Sequence, residues 1–153
     1  MLTRARGIAL ERDRALTLLG EHQRTIAALL DEADSVFEGS DPLSSDALAH
    51  LRWQLVRRLR TYQLFKHIEL FDPIMAAGDA ERARSAGEMK ARCLTAGNAY
   101  NDHVRKWTVL GMGVDPLRYR AEGQTIVARL REHLRREAAD AKVLLERVVR
   151  TRR

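Results

Sequence analysis

Four long stretches of this chain carry apolar residues at steps of four and three. That spacing leaves few folds open. The first stretch reads Ala15, Leu19, His22, Ile26, Leu29, Ala33, Val36, and the second Leu48, Leu51, Leu55, Leu59, Gln63, His67, Leu70, Ile74. The third reads Met89, Cys93, Ala96, Tyr100, His103, Trp107, Leu110, and the fourth Ile126, Leu130, His133, Glu137, Ala141, Leu144, Val148. Residues three and four apart share a face of an α-helix, so each stretch predicts one amphipathic helix. No stretch alternates with period two, which a half-buried strand would require. Breakers are scarce: 3 prolines and 9 glycines in 153 residues. Four such helices bury their seams best against one another. The expected fold is all-α, an antiparallel up-down-up-down four-helix bundle, with residues 1–153 as a single domain and a core from about 10 to 150.

Punctuation residues set the expected boundaries. The first helix is expected from about Leu10 to Phe37, ended by Glu38-Gly39-Ser40-Asp41-Pro42. The second should begin near Ser44 or Ser45 and run to about Ala77. Pro73 should kink it or begin its termination, and Gly78-Asp79 should break it. The third starts either after Asp79 or at Ser85, where Ser85-Ala86-Gly87-Glu88 fits a capping box, and Gly111-Met112-Gly113 stops it. Asp115-Pro116 opens the fourth, with Asp as N-cap and Pro at the first helical position.

The seams are not wholly apolar. His22, His67, His103 and His133 each occupy a seam position, one to a helix, and Glu137 follows His133 by one turn. A buried imidazole without a partner costs a few kcal/mol. One such residue reads most simply as a core histidine bonded to a neighbour. That explanation weakens when it is needed once per helix, and the alternative is a metal site in the middle of a bundle. His50 falls between Leu48 and Leu51 and reads as a surface residue.

The segments around these residues resemble the hemerythrin-like, HHE cation-binding family. Leu18-Leu19-Gly20-Glu21-His22 resembles the family's first-helix segment, and His133-Leu134-Arg135-Arg136-Glu137 its last-helix His-x-x-x-Glu. Asn101-Asp102-His103 would carry the lone histidine of the third helix. The resemblance spans about residues 15 to 148 and implies a metal site, iron above all, with a role in dioxygen, nitric oxide or redox sensing or in iron handling. Its candidate ligands are His22, Gln63, His67, His103, His133 and Glu137. One departure matters. Counting back from Pro73 places Gln63 where the family has His and His67 where it has Glu, so one of two bridging carboxylates is missing. Two divalent ions would bring four positive charges against one Glu. Three outcomes stay open on these residues: a dinuclear iron centre, a mononuclear site for iron, zinc or another borderline ion, or a metal-free network of Gln63, His67 and Glu137 in a degenerate bundle serving as an interaction or regulatory module. The position of His103 near its helix end, against His133 well inside the fourth helix, offsets the two by roughly 15 Å at 1.5 Å per residue.

Other classes are less favoured. The chain has a net charge of +6, but its arginines are scattered along outer faces and neighboured by Asp and Glu, so nucleic acid is not the expected partner. No apolar run is long enough for a membrane span. No apolar leader is evident at the start and there is a single cysteine, so a cytoplasmic setting is expected. Cys93 reads as a small buried hydrophobe, and Tyr62, Phe65, Phe71, Tyr100 and Trp107 as ordinary core. The inner faces carry no Ser or Cys nucleophile paired with a base, so an enzyme is not the expected reading.

Overall fold

The structure, a computed structural model, describes residues 2–39, 45–77 and 79–150, with side chains described over 11–39, 46–77 and 79–146. The expected turn at Ser40-Asp41-Pro42, the break at Gly78 and the side chain of Val148 lie outside the described residues. The described residues are helical apart from short connections and contain no strand. Helix α1 is Leu2–Glu38. Helix α2, Ser45–Lys66, passes without a break through a π-helical turn, His67–Phe71, into a short α3, Asp72–Ala77. Helix α4 is Ala80–Leu110 and α5 is Pro116–Arg150.

The termini follow capping chemistry. Asp79 adopts extended backbone and its side chain accepts from the Arg82 amide at 2.8 Å, so α4 starts there and not at Ser85. Asp115 caps α5 in the same way, accepting from the Arg118 amide at 3.2 Å, with Pro116 as first helical residue. Gly111 ends α4 with φ 77°, a conformation that a side chain would strain. The α1 helix begins eight residues earlier than Leu10. Pro73 does not stop α2. Its ring crowds the carbonyl four residues back and it has no amide to donate, and the π turn immediately before it takes up the misfit by widening the helix.

Helix α1 packs on α2 and α5, and α4 packs on α5 and on the α2–α3 path, which closes a ring of four long helical segments. One contiguous core fills it, from Leu19, Ile26 and Leu30 through Leu55, Tyr62 and Phe71 to Trp107, Tyr119, Leu134 and Leu144. Close approach is tightest where α1 meets α5: a Cβ at Gly123 would stand 2.8 Å from Phe37 Cε2, so glycine there lets the Phe37 ring lie against the α5 backbone. Charged side chains tie the outer faces together. Arg131 of α5 reaches Asp31 and Asp34 of α1, and Arg92 of α4 reaches Asp140 of α5. No helix among the described residues is long and apolar enough to cross a membrane.

A buried lysine, glutamate and histidine cluster as the candidate functional site

The seam of α2 differs from the expected one, and the difference decides the site. The expected seam took four consecutive steps of four, Leu51, Leu55, Leu59, Gln63, His67. Each such step overshoots a full turn by about 40°, so four of them drift about 160° around the helix. The buried residues instead run Leu48, Leu51, Leu55, Tyr62, Lys66, Leu70, Phe71. A step of three between Leu59 and Tyr62 corrects the drift. The residue delivered to the middle of the bundle is therefore Lys66, at 2% exposure, while Gln63 and His67 are only half-buried beside it. Sequence reasoning missed Lys66. The signal was present: the same corrected stepping, applied from Leu48, lands on it.

Lys66 faces Glu137 of α5, which is 3% exposed. Its Nζ donates to both carboxylate oxygens, at 2.8 and 2.9 Å, and to Cys93 Sγ of α4 at 3.1 Å. The same ammonium lies over the Tyr62 ring, 3.9 Å from its centroid, a cation–π contact of value where water is excluded. His133 Nε2 stands 3.3 Å from Glu137 Oε2, one turn away on α5, and the imidazole shares a cavity wall with Cys93. The Tyr62 hydroxyl accepts from Gln23 Nε2 at 2.9 Å, and the Gln23 side chain also donates to the Leu134 carbonyl, which ties α1 to α5 across the tyrosine. Every polar head in this cluster has a partner, as burial requires.

The electrostatics follow from that geometry. The hydrogen bond to Cys93, then the hydrogen bond to and negative charge of Glu137, push His133 up to about 9 against the opposing effect of burial. Burial pushes Glu137 upward, but the hydrogen bond from His133 and the charges of Lys66 and His133 outweigh it and hold the carboxyl at about 2. Burial, then the nearby Glu137 charge, raises Tyr62 well above the ordinary phenol range. His22, His67 and His103 are all lowered, in each case chiefly by burial.

The six candidate ligands therefore part company. Glu137 and His133 meet in the cluster. Gln63 lines the same small cavity as Lys66, Cys93 and His133, about 70 Å³ in volume, and its amide rests against Gly97 of α4. His22 packs its ring on Tyr62 and Phe65, with centroids 5.7 and 5.0 Å apart. His67 lies edge-on to Phe71 at 5.5 Å, and its Nε2 is buried with no hydrogen-bond partner among the described residues. His103 stacks on Tyr119 at 6.2 Å. Tyr119 precedes His133 by 14 residues on one helix, roughly 20 Å of rise, so His103 belongs to the other end of the core. Cys93 is buried as expected, but it accepts a hydrogen bond from Lys66 and is more than a filler. His50 is exposed.

This donor set does not fit a divalent ion. Among the described residues no group of three or more His, Cys, Asp and Glu side chains is placed to hold one. The central carboxylate has both oxygens engaged by an ammonium. A dication bound to it would stand about 4 Å from that ammonium, a repulsion of about 8 kcal/mol at an effective dielectric near 20. The Lys66 ammonium already supplies positive charge to both oxygens of that carboxylate. The unpartnered His67 nitrogen gives a direct check. If His67 is a core residue, His67→Leu removes an unsatisfied polar atom and should leave stability unchanged or raise it by about 1 kcal/mol in urea unfolding. A loss of several kcal/mol would mean that the imidazole serves a ligand or network.

Comparison with known proteins returns no relative from which a function could be carried over. No protein-family model matches the chain, and neither a curated protein nor a solved structure does.

Proposed function

We propose that this chain is a hemerythrin-like bundle, up-down-up-down in topology, in which an internal ion pair replaces the metal centre, and that it acts as a metal-free regulatory or protein-interaction module. The observation that carries this reading is the Lys66 ammonium on both oxygens of Glu137, in the one place where a carboxylate and a histidine from the resemblance come together. An ammonium supplies the positive charge that the carboxylate needs and holds the helices in register without a cofactor. Such buried pairs serve specificity better than stability. A partner surface is supported by the outer face of α2 and the π turn, where Trp53, Leu64 and Ile68 are 64%, 56% and 61% exposed beside exposed Arg57 and Arg60. Large apolar side chains grouped on one face mark contact sites more often than chance exposure does.

Elemental analysis tests the reading. Protein purified without an affinity tag or chelator is expected to hold no stoichiometric iron, zinc or manganese, and anaerobic incubation with ferrous ion should not raise its thermal midpoint. Stoichiometric iron that disappears in the His133→Ala, Glu137→Ala double variant would overturn it and restore an iron centre with dioxygen or nitric oxide as the ligand to pursue.

A further inference from the structure

The Lys66 amine and the Cys93 sulfur stand 3.1 Å apart in the core, with the 70 Å³ cavity beside them. Cys93 is the chain's single cysteine, so an oxidised sulfur here has no thiol within its own chain to capture it. The sulfur accepts from Lys66 Nζ at 3.1 Å, and the His133 imidazole lines the same cavity, so a cation lies on one of its lone pairs. Cationic neighbours are what make a cysteine nucleophilic toward oxidants. A cavity this size exceeds what one water needs and takes a hydroperoxide of the smallest kind.

We infer that Cys93 and Lys66 form an oxidative modification site, in which hydrogen peroxide converts the pair to a sulfur–nitrogen cross-link between α4 and α2. In the first step the sulfur attacks one peroxide oxygen. The O–O bond breaks, Cys93 becomes a sulfenic acid and one water leaves. Sulfur is oxidised by two electrons and the peroxide is reduced. In the second, Lys66 passes one ammonium proton to the Glu137 carboxylate, 2.8 Å away, and the freed amine attacks sulfur. The S–O bond breaks, the S–N bond forms, and the hydroxyl leaves with the second amine proton as water. The sum is thiol, ammonium, carboxylate and peroxide giving sulfenamide, carboxylic acid and two waters. Condensation of a sulfenic acid with a nearby nitrogen is established chemistry. The product removes the positive charge from Lys66 and the negative charge from Glu137 together, so neither member of that pair is stranded, and the half-buried His133 is left as the remaining charge of the cluster. It also staples residues 27 apart in sequence. That is a redox input to the metal-free regulatory reading, and the inference rests on that reading, since a metal on Glu137 would displace the ammonium.

The test uses the full chain treated with hydrogen peroxide, quenched with catalase, then examined by intact mass and tryptic mapping. The expected product weighs two hydrogens less than the starting protein. It resists cleavage after Lys66, yields a linked peptide pair containing Lys66 and Cys93, and reverts in dithiothreitol. Lys66→Arg keeps the cation but not the nucleophilic amine, and should accumulate oxygen on Cys93 instead. If that variant does not fold, the wild-type peptide map decides alone. Wild-type protein that gains oxygen on Cys93 with Lys66 still cleaved, or that stays reduced while urea-unfolded chain oxidises, overturns the inference. Metal content measured on the same sample separates the two failures: metal-free protein without the cross-link removes this inference only, whereas metal-loaded protein without it removes the metal-free reading as well.

Discussion

Replacing Lys66 by methionine should destabilise the bundle by about 3 kcal/mol, the lower part of the range for breaking a buried ion pair from one side. Methionine keeps the length and flexibility of the stem, so packing changes little. The loss comes from Glu137, whose carboxylate is then left in the core with a single charged partner, His133 at 3.3 Å. That remaining contact is why the lower end of the range applies. Glu137→Leu alone strands the ammonium and should cost a similar amount. The double variant, Lys66→Met with Glu137→Leu, replaces the pair by apolar groups and should recover most of the loss, because desolvation of two ions roughly cancels their attraction. Urea unfolding of the four proteins gives the cycle directly. A single-variant loss below about 1 kcal/mol would show the pair to be solvated and the burial of Lys66 to be wrong.

Stability should fall as pH rises from about 6.5 to about 9. His133 is held at about 9 in the fold, against 6.5 for an ordinary imidazole. A raised value means that the fold binds the proton more tightly than the unfolded chain does. The stabilisation is complete below 6.5 and is lost as pH climbs to about 9, by up to about 3 kcal/mol at roughly 1.4 kcal/mol per unit. The groups facing the imidazole are Cys93 from α4, Lys66 from α2 and Glu137 from its own helix. Two opposite trends bound this window from below. Glu137, lowered from 4.5 to about 2, gives stability that is present above 4.5 and lost as pH falls toward 2. His22, His67 and His103 are lowered, chiefly by burial, so the fold takes up their protons less readily than the unfolded chain does, and they add to the loss as pH falls below 6.5. The cluster's own contribution is complete between about 4.5 and 6.5, and the three lowered histidines set the optimum of the whole fold near pH 6.5. Urea midpoints at pH 6.5 and 9 measure the alkaline limb, and His133→Asn should flatten it. Equal midpoints in the wild-type chain would mean that the imidazole is not protonated in the fold.

Much of this architecture was legible without coordinates. The four-three spacing of Ala15 to Val36, Met89 to Leu110 and Ile126 to Leu144 identified three of the long helices and most of their buried positions. Asp79, Gly111 and Asp115-Pro116 marked their ends, since a cap acts through backbone groups one to three residues away. The alternative start at Ser85 failed because Asp79 had already supplied an N-cap and nothing between them breaks a helix. Pro73 was read as a kink or stop. In place of a stop the chain inserted a π turn, a choice that depends on whether the helix beyond it has something to pack on, and α4 provides that.

The chain by itself determined which residues lie on one face of each helix, and hence that Glu137, His133 and Cys93 point inward. Helical periodicity is a property of a few consecutive residues and needs no tertiary contact to be read. Only the tertiary structure decided what those residues meet. A one-residue choice of phase on α2, Lys66 in place of His67, brought an ammonium and not an imidazole to the carboxylate, and the axial offset between α4 and α5 carried His103 to Tyr119 at the far end of the core. The offset follows from the distances of His103 and His133 from the short α4–α5 turn and was legible in the sequence, whereas phase is set by how four faces pack together at once. That is a balance of burial over the whole bundle, and it turned four histidines that look alike in the sequence into one charged partner of Glu137 and three neutral core rings.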